Sequence, residues 1–381
     1  MKASWKKKAI PTSYMTKSKQ HIVCTVTNDL VYDQRMIRIC TALAEAGHQV
    51  LLVGREKTSS PPLTERPYQQ IRLKIQPEKG KFFYSLFHRA LKKWLLTQQK
   101  INILYAVDLD TLLTCAQVTQ RRKDIRLIYD AHEYFTEVPE LIGRPIVKKI
   151  WQYIAHYGIP KADICLTVSE TLGEVLSQKY GKPFHIIRNV PTPKPISHTP
   201  KPEPKIILYQ GVLNKGRGIE AGILAMHHIE NAQLWLVGMG DIIPQLKTLV
   251  AQENLSQKVI FKGHLRPDQL ALVTQQSWLG INLLEGQSLN YFYSLANKFF
   301  DYMMAGIPSL NMNFPEYRRI IADYPMGLLL SELTPGAIAE KINALMNDPI
   351  TYQNMVTQAH KAKTVFNWDV EKIKLLDIVT A

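Results

Sequence analysis

Several short segments gather residue types from which a reaction could be built. In YQGVLNKGRGIEAGILA, residues 209–225, a strand-like run ends at Gly211, a loop holds Gly216 and Gly218, and a helix-like run starts near Ile219. Backbone N–H groups of a glycine loop and a helix N-terminus attract anions, and Arg217 adds a bidentate fork suited to a diphosphate. A plain strand–turn–helix junction with surface Lys and Arg would read the same way, and no GK[ST] ending makes this a Walker loop. In LLEGQSLNYFYSLANKFFDYMMAGIPSL, residues 283–310, Lys298 beside Asn297 is placed to meet phosphate oxygens. Asp301, one turn into the same helix, could accept both hydroxyl hydrogens of a ribose diol. The competing reading is an ordinary amphipathic helix with a solvated Lys and Asp.

The first half carries a second group. YDAHEYFTEVPEL places His132 and Glu133 directly after the carboxyl end of a strand, and TNDLVYDQR sets Asn28, Asp29, Asp33 and Arg35 in a loop after another. A lone histidine is often a satisfied structural residue; the strand-end position favours a site, because ligands of open parallel sheets bind at carboxyl ends.

These segments need a frame. From residue 20, short β-branched runs (HIVCTV, QVLLVGR, INILYAV, RLIYDA, ICLTV, HIIRNV) alternate with helical stretches, the βαβ rhythm of a parallel sheet covered on both faces. The rhythm stops at VPTPKPISHTPKPEPK, with prolines at 191, 193, 195, 200, 202 and 204, and restarts with KIILYQG, AQLWLVGMG, KVIFKGH, LGINLLE and GIPSLNM. The expectation is an α/β protein of two doubly wound units facing a cleft. Its parts are a basic arm at 1–19, an N-terminal domain at 20–190, a Pro-rich linker at 191–205, a C-terminal domain at 206–360 and a helix at 361–381 that could cross back to the first domain.

Charge sharpens this division. The 381 residues hold 47 Lys+Arg and 32 Asp+Glu, a net +15, and residues 1–190 carry 30 of the bases against 16 of the acids. The excess therefore sits in one half and points to a polyanion. Cys24, Cys40, Cys115 and Cys165 form no CxxC and lie in apolar surroundings, so buried free thiols and a reducing cytoplasmic compartment are expected.

Together the motifs resemble the retaining family 4 glycosyltransferases of the GT-B fold. That family carries G-R-L-x-x-x-K-G after the first strand of its C-terminal domain; here G-V-L-N-K-G-R-G puts Arg217-Gly218 at the Lys-Gly position and Val212 at the usual arginine. It also carries E-x7-E before A-M-A-x-G-x-P; D-Y-M-M-A-G-I-P aligns Asp301 with the second glutamate, while the first falls on Tyr293. LVGMGD, KVIFKGHL and the A-G-H-x-V turn resemble further family segments, as do Ser169 and Asn189 at later strand ends. The resemblance spans roughly residues 20–365. It implies a nucleotide-sugar donor held by Gly211, Gly216, Gly218, Tyr293, Asn297 and Asp301. It implies catalytic roles for His132, Arg217 and Lys298, and an acceptor side at Asn28, Asp29, Arg35 and Glu133. Lys298 and Asn297 are the candidates to replace what Tyr293 removes.

Asp108-x-Asp110 matches the metal signature of the other large glycosyltransferase fold, but the second Rossmann-like half argues against that fold. Both aspartates read as strand-end residues, and no metal or cofactor is expected. In KGKFFYSLFHRALKKWLLTQQK, residues 79–100, apolar positions 82, 83, 86, 87, 90, 91, 94 and 95 form one stripe flanked by Lys81, His88, Arg89, Lys92 and Lys93. Such a stripe is either a core-packing face or an interfacial helix on anionic lipid. No nucleic-acid motif is present. The reading is a retaining transferase acting on a glycan or lipid-linked acceptor in cell-surface polysaccharide synthesis, peripheral on the inner membrane face. A nucleotide-sugar epimerase of the same fold and an idle homologue serving as a partner subunit stay open.

Overall fold

The computed structural model describes residues 18–78, 80–193 and 201–380. Most of the basic arm (1–17) and the middle of the Pro-rich linker (194–200) lie outside them. The chain divides into two compact units: unit 1 runs to Asn189 and includes the residues from Asp369 on, and unit 2 is Val190–Trp368.

Unit 1 runs β1 (His21–Thr25), α1 (Gln34–Glu45), β2 (Gln49–Glu56), β3 (Gln69–Lys74), α2 (Lys81–Thr97), β4 (Ile103–Val107), α3 (Asp108–Arg121), β5 (Arg126–Ala131), α4 (Pro145–Gly158), β6 (Ile164–Thr167), α5 (Glu170–Tyr180) and β7 (Phe184–Ile186). Among the described residues its strands pair in parallel in the order β3-β2-β1-β4-β5-β6-β7. Every residue of β4 is buried, as a strand covered on both faces requires. The order reverses between β1 and β4, so the loops after β1, β4 and β5 surround the switch point where ligands of such sheets bind.

Unit 2 runs β8 (Lys205–Gln210), α6 (Ile219–Ala225), β9 (Ala232–Val237), α7 (Ile243–Gln252), β10 (Val259–Gly263), α8 (Pro267–Gln276), β11 (Leu279–Asn282), α9 (Leu289–Phe292), α10 (Asn297–Ala305), β12 (Ser309–Met312), α11 (Pro315–Asp323), β13 (Gly327–Leu330), α12 (Pro335–Met346) and α13 (Pro349–Val365). Its order is β10-β9-β8-β11-β12-β13, with the reversal between β8 and β11. A final helix, α14 (Trp368–Thr380), returns to unit 1, where Glu371 accepts from the Arg188 backbone N–H at 2.9 Å.

One packing contact sets the unit 2 site. Gly280 on β11 leaves no room for a Cβ, because the Tyr302 ring of α10 fills that space. The Tyr302 hydroxyl donates toward the carbonyls of Leu208 (3.0 Å) and Ile281 (3.2 Å). The helix is thereby locked against the sheet, and Lys298 lies one turn back from the anchor on the same helix face.

The stripe on α2 divides. Phe83, Phe87, Leu91 and Leu95 are core, whereas Phe82 and Leu86 are exposed. His88 does not supply flanking charge: its Nδ1 lies 2.7 Å from Thr114 Oγ1, and burial pushes its pKa down to about 4. Lys92 is tied to Gln117 at 2.6 Å. The larger apolar surface lies instead around α4, where Ile142, Ile146, Ile150 and Tyr153 are exposed while Trp151 and Ile154 pack inward. Among the described residues no helix is long and apolar enough to cross a membrane.

Candidate active site

In unit 2 the glycine loop opens at the end of β8. Gly211, Gly216 and Gly218 have φ of +128°, +84° and +64°, a region that disfavours side chains. A Cβ on Gly218 would also collide with the Leu283 carbonyl. The loop is pinned from within: the Tyr209 hydroxyl donates to Val212 O at 2.7 Å, and Glu285 N–H donates to Gly216 O at 3.0 Å.

Two cations converge on this loop. Lys298 is buried, its Nζ 3.7 Å from the centroid of the Tyr209 ring. Arg217 lays its guanidinium 5.0 Å from the Tyr291 centroid, and its Nε is buried without a hydrogen-bond partner. Neither side chain makes an ion pair among the described residues. Burial first, and then the charge of Arg217, hold the Lys298 amine well below its ordinary pKa, with Asp301 opposing. A buried amine beside a half-buried guanidinium, with no counterion for either, is a costly arrangement that a bound anion would relieve.

Asp301 accepts from Gln210 Nε2 at 2.8 Å, and Gln210 Oε1 accepts from Thr274 Oγ1 at 2.8 Å. Asp301 and Gln210 line a hollow of about 170 Å³. Asn297 opens α10 and is exposed; Tyr293 follows α9, its ring edge-on to Phe292 at 5.1 Å. Sequence reasoning passed over Tyr209, Gln210 and Tyr291, because aromatic and amide residues at strand ends carry no distinctive spacing.

In unit 1, His132 follows β5 at the switch point. Its backbone N–H donates to Asp108 Oδ1 at 2.9 Å, its Nε2 lies 3.1 Å from Asp130 Oδ2, and its Nδ1 lies 3.8 Å from Asp108 Oδ2. Asp108 has φ +52°, uncommon for a residue with a Cβ. Asp110 is bonded by the Thr27 hydroxyl, and burial pushes its carboxyl up to about 6. Glu133 is half-buried beside these carboxylates.

Three residues expected on the acceptor side have partners within unit 1. Arg35 is buried and donates twice to Asp130, at 2.8 and 3.1 Å, and once to Ile187 O at 2.7 Å, so its guanidinium is committed inside the unit. Asn28 bridges Asp33 (2.6 Å) and the Leu30 N–H (2.9 Å), and Asp29 accepts from Val31 N–H (3.3 Å); both shape the turn after β1. Ser169 is a buried cap of α5, and Asn189 is bonded by Arg38. A larger hollow of about 550 Å³ lies at the opposite, N-terminal ends of β1 and β2, away from His132, so volume alone does not mark the site.

Residues 193–362 match the family model described as glycosyl transferases group 1, and residues 34–192 match that of glycosyltransferase family 4. No curated protein sequence matches the chain. Among solved structures, sucrose-phosphate synthase from Thermosynechococcus elongatus superposes with a TM-score of 0.79 at 18% identity, covering 95% of this chain and 98% of that one. Anabaena HepE in complex with UDP-glucose gives 0.73 at 13%, covering 95% and 99%. WaaG, a glycosyltransferase involved in lipopolysaccharide biosynthesis, gives 0.69 at 14%, covering 94% and 100%. The fold is GT-B, two Rossmann-like α/β domains.

Proposed function

The chain belongs to the group 1 glycosyltransferases, and on that premise we propose that it moves a sugar from a nucleoside diphosphate donor to a glycan or lipid-linked acceptor with retention of anomeric configuration. The observation that carries the reading is the pairing of buried Lys298 with half-buried Arg217 over the glycine loop, neither of them in an ion pair among the described residues. As the bond from the anomeric carbon to the diphosphate oxygen breaks, negative charge collects on the leaving group. Arg217, Lys298 and the loop N–H groups would stabilise it. The acceptor oxygen then bonds the same face of the sugar, and its proton passes to the departing diphosphate. Asp301 holds the ribose diol, and His132 meets the sugar or acceptor hydroxyls. HepE was solved with UDP-glucose, which makes uridine donors the first to test.

The test is NMR of a reaction with donor and acceptor: the product's anomeric coupling should match the donor's. An inverted product ends the claim of retention. Conversion of donor alone identifies the epimerase, and no calorimetric binding of any nucleoside diphosphate identifies an idle homologue.

We further propose an anionic membrane face as the partner of unit 1, in a role in cell-surface polysaccharide synthesis on the cytoplasmic side. The apolar arc of helix α4 runs past its buried residues, Trp151 and Ile154, to exposed Ile146, Ile150 and Tyr153, so part of that arc is left without cover. Exposed Arg144 and Lys149 stand beside the outward stripe, suited to lipid phosphates. Edge-on packing of Tyr84 on Trp151, 5.1 Å between centroids, ties the start of α2 to the same region.

A further inference from the structure

The carboxylate behind His132 is unusually constrained. Asp130 is fully buried at the end of β5. Its Oδ2 accepts from Arg35 Nε (3.1 Å) and the Tyr105 hydroxyl (2.7 Å), and its Oδ1 accepts from Arg35 Nη2 (2.8 Å). Burial alone would raise its pKa, but Arg35 and then His132 hold it far below the usual carboxylate range. An ionised carboxylate has no hydrogen to give, so the Nε2 of His132, 3.1 Å from Oδ2, must be the donor of that contact. The proton on Nε2 is thereby fixed by the scaffold. Nδ1 is the remaining nitrogen, and at 3.8 Å from Asp108 Oδ2 it is too far for a hydrogen bond.

We propose that Asp130, clamped by Arg35 and Tyr105, is a positioning residue that presents His132 to substrate through Nδ1, with the ring carried as an imidazolium rather than a neutral base. The inference rests on the glycosyltransferase reading only for the identity of the substrate. The charged groups around the ring are Asp130 from β5, Asp108 and more distantly Asp110 from α3, Arg35 from α1, and Glu133 beside it. Two carboxylates lie within ion-pair distance of the ring, Asp130 at 3.1 Å and Asp108 at 3.8 Å. Burial lowers the His132 pKa, but Asp130 first, then Asp108 and the Asp130 hydrogen bond, outweigh it and leave it raised. Because burial pushes the Asp108 carboxyl well up, Asp130 is the fixed negative charge at the ring. Arg35, placed by sequence among acceptor contacts, instead keeps Asp130 ionised and aimed. A fixed positive N–H at Nδ1 would donate to a sugar hydroxyl or a phosphate oxygen, and it would not accept the acceptor's proton.

The deciding measurement is nitrogen-15 NMR of the histidine rings in the full chain, with the His132 signal assigned from His132→Gln. The wild-type ring should stay doubly protonated at pH 7, and Asp130→Asn should move its titration to lower pH. In turnover, kcat/KM should fall on the alkaline side as His132 loses its proton. In Asp130→Asn that limb should move acidward, with kcat down about tenfold or more and KM little changed. A wild-type His132 that is neutral at pH 7, or protonated on Nδ1 alone, overturns the proposal without any variant having to fold. A pH profile unmoved by Asp130→Asn overturns it equally. If the protein proves not to transfer sugars, the ring signals still decide the inference, so the two failures are distinguishable.

Discussion

The side-chain nitrogen of Lys298 rests 3.7 Å from the centroid of the Tyr209 ring, on the flank of the loop that β8 delivers at Gly211. A ring face stabilises a cation only modestly, by about 0.5–2 kcal/mol. It does not replace the hydration that burial removes, and Arg217 adds repulsion. The free protein thus holds a strained amine that an anion would relieve.

Replacing that amine should therefore separate stability from activity. Lys298→Met keeps the stem and removes the charge; Tm should rise by about 2–4 °C, while kcat/KM falls about 10²-fold. Wild type should also take up a proton on binding a nucleoside diphosphate near pH 8, because the anion raises an amine pKa that burial had lowered. Calorimetry in buffers of different ionisation enthalpy reads this directly. Binding without proton uptake would mean that Lys298 already carries its charge in the free protein.

A second titration sits in unit 1. Burial pushes Asp110 up to about 6, against the hydrogen bond from Thr27, with the Glu133 charge adding to the rise. A carboxyl raised on folding gives stability that is complete below its unfolded pKa and lost as pH rises through about 6. Asp110→Asn keeps an acceptor for Thr27 and cannot ionise. The gain in Tm of this variant over wild type should be larger at about pH 8 than at about pH 4, by about 2–4 °C. A constant difference across that range would show that Asp110 titrates normally.

Interior parallel strands were legible because both of their faces are covered and they read as continuous apolar runs; β4 and β8 are examples. Two strands were missed, β3 and β13, and both are edges. QQIRLK pairs on one side only, with no residue fully buried, so its polar pattern does not announce a strand. In the candidate site, Arg217 and Lys298 stood out because cations beside a glycine loop suggest an anion. The partners that set their state, Tyr209 and Tyr291, could not be found from spacing. Arg35 misled for the opposite reason: a loop-side arginine looks available until Asp130, 95 residues away, is seen to occupy it.

Two glycines with nearly the same backbone should respond differently. Gly181 closes α5 at φ +65° with open space around its Cα; Gly218 has φ +64° but faces the Leu283 carbonyl. Gly181→Ala should cost about 1 kcal/mol, the ordinary penalty for a left-handed cap. Gly218→Ala adds a steric clash, so its loop must shift and carry Arg217 with it. Chemical denaturation should show the larger loss for Gly218→Ala, and calorimetry should show weakened nucleoside diphosphate binding for that variant only. Equal losses would mean that the loop after β8 yields without displacing the site.

The last prediction concerns α4. Ile146 is 75% exposed and Ile150 53%, whereas Trp151 and Ile154 farther round the same apolar arc are buried. Replacing both by glutamate should leave the fold intact, since neither side chain contributes to the core and α4 remains helical with polar residues outward. It should abolish binding to vesicles, because it removes the inserting apolar groups and sets two negative charges against anionic headgroups. Co-sedimentation should recover wild type with anionic vesicles and not with neutral ones, with recovery falling as salt rises. Lys149→Gln should weaken binding by roughly the 1 kcal/mol expected of one basic residue near such a surface. Phe82→Glu on α2 distinguishes the two helices. If it releases the protein while the α4 double variant still binds, the membrane face lies on α2, and the outward stripe of α4 belongs to some other contact.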